Sequence, residues 1–87
     1  MSGTIWKYQL EHAHQSIDMP AGSELLRVGS QSNQICVWAK VDPNRPLEKR
    51  EFWVVGTGHD VPDHVVYIGT ALIFGERLVM HVFEEVA

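Results

Sequence analysis

Apolar residues recur at every second position in short runs along this chain, and each run is soon cut by a glycine, proline or asparagine cluster. That rhythm suits strands and leaves no stretch for a long amphipathic helix. Ile5-Trp6-Lys7-Tyr8-Gln9-Leu10 places Trp6, Tyr8 and Leu10 on one face, as a half-buried first strand requires. His12 to Ser16 is polar, with a helix over residues 8–16 as the alternative for that stretch, and Ile17 with Met19 gives a second extended piece. Pro20-Ala21-Gly22-Ser23 then breaks the pattern.

Residues 24–28 and 35–41 are predicted strands, joined by a polar hairpin loop Gly29-Ser30-Gln31-Ser32-Asn33-Gln34. In the second of them Ile35, Val37, Ala39 and Val41 share a face, while Cys36 and Trp38 point the other way, so the strand is covered on both sides or shows Trp38 to a partner. After the proline-stiffened loop Asp42-Pro43-Asn44-Arg45-Pro46, residues 50–55 carry apolar side chains on both faces. A long loop, Gly56-Thr57-Gly58-His59-Asp60-Val61-Pro62-Asp63, separates them from a final hairpin, residues 65–74 and 78–83, whose turn Gly75-Glu76-Arg77 has glycine where positive φ is needed. Six or seven short strands of this kind predict an all-β, mostly antiparallel fold: a small sandwich or barrel-like single domain over residues 1–87.

Composition bounds the function. A formal net charge of −4 with no run of Lys or Arg argues against neutralising the phosphates of duplex nucleic acid. One cysteine, Cys36, excludes an intrachain disulfide and fits a reducing compartment, and its apolar neighbours predict an inert buried thiol. Neither a basic-then-apolar leader after Met1 nor a run of about 18 apolar residues is visible, so the expectation is a cytoplasmic chain without a membrane partner. At 87 residues the core is thin, which makes a homo-oligomer the expected state.

Five histidines raise the question of a metal, but His12, His14, His59, His64 and neighbouring acids lack any spacing that fixes four ligands. His12, His14 and His64 read as exposed loop residues, and His81 as a satisfied strand residue. No metal, cofactor or catalytic residue is therefore assigned. The candidate ligand-binding set is Gly56, Thr57, Gly58 and His59, whose turn could present successive backbone N–H groups to an anion, with Trp38 and Trp53 as stacking surfaces. Trp6, Trp38, Trp53, Asp60 and Asp63 are candidate interface residues, because large aromatics anchor interfaces and acids complement a basic partner. Glu84-Glu85 are expected to solvate the last strand or blunt an edge.

Ile5-Trp6-Lys7-Tyr8, Met19-Pro20, Val37-Trp38-Ala39, Val41-Asp42-Pro43, Gly56-Thr57-Gly58-His59, Tyr67-Ile68-Gly69-Thr70 and His81-Val82-Phe83-Glu84 together resemble a family of small uncharacterised phage and prophage proteins. The resemblance spans nearly the whole chain. It implies a compact protein made inside an infected or lysogenic bacterium, and it carries no activity to transfer. The expected function is non-enzymatic binding that modulates or inhibits host defence. One mode sequesters a nucleotide signal. The other blocks a host protein through acids such as Glu48, Glu51, Asp60, Asp63, Glu84 and Glu85. The alternatives are a virion structural or assembly protein and a small hydrolase using His59 or His81 as base.

Overall fold

A computed structural model describes residues 3–86. Seven antiparallel strands make up the fold: β1 (Thr4–Leu10), β2 (His14–Pro20), β3 (Glu24–Gln31), β4 (Gln34–Val41), β5 (Leu47–Gly56), β6 (Val65–Ile73) and β7 (Leu78–Glu85). They form two facing sheets, one three-stranded in the order β1-β4-β3 and one four-stranded in the order β2-β5-β7-β6. The all-β sandwich expected from the period-two runs is what the chain adopts, and the stretch considered for a helix is strand β1, a short turn and the start of β2. No helix among the described residues is long and apolar enough to cross a membrane.

Alternation decides which side chains meet between the sheets. Leu10, Val28, Ile35, Val37, Ala39 and Val41 enter the core from the three-stranded sheet, and Met19, Phe52, Ala71, Ile73 and Val82 from the four-stranded one. Strands β3 and β6 come closest: a Cβ on Gly69 would lie 2.5 Å from Val28 Cβ, so only glycine admits the contact. Each of these strands carries a bulge, between Leu25 and Arg27 in β3 and between Tyr67 and Gly69 in β6. Pro20 ends β2, an edge strand, where its missing N–H removes no interior ladder bond. The Tyr8 hydroxyl is buried without a protein hydrogen-bond partner, and burial pushes its pKa up.

Three expectations about turns and the last strand are corrected. The hairpin between β3 and β4 turns on two residues, Ser32 (φ 53°) and Asn33 (φ 61°), instead of a six-residue loop, because Gly29, Ser30 and Gln31 continue the ladder opposite Cys36, Ile35 and Gln34. Phe74 leaves β6 and joins Gly75 and Glu76 at positive φ in a four-residue connection. The Asn33 side chain accepts a 2.9 Å hydrogen bond from the Phe74 amide, so the tips of the two hairpins are clasped.

The third correction concerns Glu84 and Glu85. Their strand β7 lies inside its sheet between β5 and β6, so neither blunts an edge. Glu84 takes a forked pair from Arg50, at 2.5 Å to Nε and 2.8 Å to the terminal nitrogen, and Arg50 also donates 2.7 Å to the Ser23 carbonyl. This hydrogen-bonded carboxylate holds the Arg50 guanidinium pKa above its ordinary value, and the three-way contact ties the four-stranded sheet to the start of β3.

Candidate functional site: the outer face of the four-stranded sheet

Because Phe52, Val54 and Val82 face the core, Trp53, Phe83 and His81 face outward, and the register extends them into one row of rings across four strands: His14, Trp53, Phe83, Tyr67. His14 stacks on Trp53 with ring centres 4.1 Å apart and planes 2° from parallel. Tyr67 meets Phe83 edge to face at 5.7 Å. His14, expected in a loop, is a strand residue whose position opposite Trp53 is set by the β2–β5 pairing.

Carboxylates brace one side of the row. Glu51 accepts hydrogen bonds from Ser16 Oγ at 2.7 and 2.6 Å and from His14 Nε2 at 2.9 Å. The Ser16 hydroxyl, with a smaller contribution from His14, holds the Glu51 carboxyl below its ordinary pKa against an opposing effect of burial. Trp53 Nε1 donates to Glu85 at 2.8 Å.

A hydroxyl chain braces the other side. His81 Nε2 lies 2.8 Å from Thr57 Oγ1, His81 Nδ1 lies 3.1 Å from Thr70 Oγ1, and Thr70 Oγ1 lies 2.5 Å from the Tyr67 hydroxyl. Thr57 also donates to the Val79 carbonyl, 3.3 Å away. One polarity then satisfies every contact with a single ring N–H: Tyr67 donates to Thr70, Thr70 to Nδ1, Nε2–H to Thr57, and Thr57 to the carbonyl. The chain joins three of the segments quoted above, Gly56–His59, Tyr67–Thr70 and His81–Glu84, which the sequence separates and the sheet brings together.

Beside this row lies a cleft of about 680 Å³, lined by Trp53, Gly56, Thr57, His59, Asp60 and Arg77 over an apolar floor that includes Val55 and Met80. Part of the predicted ligand set is thus assembled in one place. Gly58 has φ of 93°, with open space where a Cβ would be. The loop itself is a closed turn, with His59 N donating to Gly56 O at 3.1 Å and Thr57 N to Val79 O at 3.3 Å, so these two amides serve the fold and the cleft's polar groups are side chains. Trp38 lies elsewhere, on the outer face of the three-stranded sheet, and Trp6 is a 40% exposed residue on β1. Trp38 and Trp53 are each half-buried, Asp63 stands exposed in the loop before β6, and His12 and His64 are exposed in loops. No group of three His, Cys, Asp or Glu side chains among the described residues is placed to hold a metal ion. Sequence reasoning missed Arg77, Thr70 and Tyr67, which no motif links to the glycine loop.

Fold and face define a small two-sheet β-sandwich with an aromatic, hydrogen-bonded outer surface and a cleft at one end. Over residues 1–87 the chain matches the family described as "Domain of unknown function (DUF7352)", and it belongs to that family. No curated protein and no solved structure matches it.

Proposed function

We propose that this chain is a phage-encoded, non-enzymatic binding protein that acts inside its bacterial host against a defence system by sequestering a nucleotide signal. One observation supports this most directly: Trp53, the turn Gly56 to His59 and the cation Arg77 border a single cleft. At about 680 Å³ the cleft suits a small-molecule ligand. A base would pack against Trp53, and phosphates would meet Arg77 and His59 at the polar rim. Blocking a basic host protein has less to draw on, because Glu51, Glu84 and Glu85 are engaged by Ser16, Arg50 and Trp53.

Native mass spectrometry of protein purified from bacteria is the test, since it reads subunit number and retained ligand together. The expected spectrum carries a nucleotide-sized mass that is lost on Arg77→Gln. A bare protein that also fails to bind a panel of nucleotides in calorimetry overturns the reading.

A further inference from the structure

The outer face of the three-stranded sheet is built differently. Its register sets Lys7 on β1, Trp38 on β4 and Arg27 on β3 side by side, with Lys40 in the next row of that face. The bulge in β3 absorbs Leu26, so that Arg27 falls opposite Trp38. Next to Arg27 along this face is Gly29, where a Cβ would stand 3.5 Å from Trp38 Cζ3 and 3.2 Å from Arg27 Nε. Indole and guanidinium therefore converge over a position without a side chain. Three amides complete the face: Gln9 donates to Gln34 at 2.9 Å, and Lys7 reaches Gln31 at 2.7 Å.

We propose that this face binds single-stranded nucleic acid. Three of the chain's seven Lys and Arg residues gather here although the formal net charge is −4; Glu24 stands opposite Lys40 and Glu11 accepts from Gln9, while Lys7 and Arg27 flank Trp38 with no carboxylate opposite them. A flat basic sheet with a half-exposed indole offers cations to phosphates and a stacking surface to an unpaired base, while the glutamines offer donors and acceptors to base edges. Three cations on a flat face fit a strand with splayed bases. No helix among the described residues stands on this face to enter a duplex groove. The site shares no residue with the nucleotide cleft, whose lining comes from the other sheet and its loops, and does not depend on it.

The test is fluorescence anisotropy with labelled oligothymidylate and oligouridylate at low salt, repeated over a salt series. Three phosphate contacts predict a log–log salt slope of about −2, and Lys7→Gln or Arg27→Gln should each reduce it by about 0.7. Trp38→Ala should weaken binding roughly tenfold. The two charge variants keep Trp38 in place and so test the face even if the alanine variant misfolds. Lys49→Gln, on β5 of the other sheet, should change neither affinity nor slope. A preference between the two oligonucleotides identifies DNA or RNA as the source. The proposal is overturned by absence of binding, by equal affinity for duplex, by indifference to Lys7→Gln and Arg27→Gln, or by sedimentation showing that these residues join copies of the protein instead.

Discussion

The two outer faces of the sandwich use the same backbone to opposite ends. On the four-stranded sheet polar groups are paired with neighbours: Glu51 with Ser16 and His14, Glu85 with Trp53, His81 with two threonines. On the three-stranded sheet the groups around Trp38 are amides and the cations Lys7 and Arg27, and its carboxylates are Glu24 opposite Lys40 and Glu11 beside Gln9. A face with satisfied groups is rigid and presents a fixed shape, whereas a face of like charges keeps electrostatic potential in reserve for something outside the protein. The difference predicts that substitutions of the paired groups of the four-stranded sheet, Arg50 and Glu84 on its inward side among them, act through stability, and those of the cations on the three-stranded face through binding, with the cleft residues Trp53 and Arg77 standing apart from both.

The largest effect should come from Glu84→Ala. Removing one partner of a pair whose side chains are 18% and 15% exposed leaves Arg50 with an uncompensated charge between the sheets, and urea unfolding should show a loss of about 3 kcal/mol. Lys7→Gln, by the same measurement, should stay within about 0.5 kcal/mol. Equal losses would erase the contrast. Next, Tyr67→Phe removes the first donor of the Thr70–His81–Thr57 chain and should cost about 1 kcal/mol in the same assay, with the sheet intact by circular dichroism.

The smallest effect belongs to Ser16→Ala, and it sharpens the comparison through pH. Glu51 has a depressed pKa in the folded protein, so its contribution is present above the ordinary carboxylate range and fades as pH falls through the folded value. Ser16→Ala should raise the Glu51 titration midpoint seen by NMR and flatten the acid limb of the stability curve. An unmoved midpoint would mean that the Ser16 hydroxyl does not support the carboxylate.

The strands were legible because period-two patterning is local, and so was the Gly56 to His59 turn. The β3–β4 turn was not, since Ser32 and Asn33 adopt positive φ without the glycine that normally signals it. The site was legible only in part. Thr57, Thr70 and His81 meet because β7 returns between β5 and β6, and Tyr67 reaches Thr70 on the same strand past a bulge that shifts the register by one residue. Pairing order of that kind is set by how whole sheets pack, and no window of sequence contains it. Arg50 and Glu84 are likewise 34 positions apart and opposite in charge, yet only the sandwich makes them a pair.

The clasp between Asn33 and Phe74 has a consequence for the time course of folding. The β3–β4 and β6–β7 hairpins join neighbours in sequence and close short loops, while β1–β4, β2–β5 and β5–β7 must each bring distant segments together before any contact compensates the lost entropy. Two hairpins of short loop closure, one from each sheet and linked at their tips, would give the later strands a shared template. The expected slow step is then the arrival of β1, β2 and β5 on that nucleus, and pulse-labelled hydrogen exchange is expected to show the edges β1 and β2 protected last.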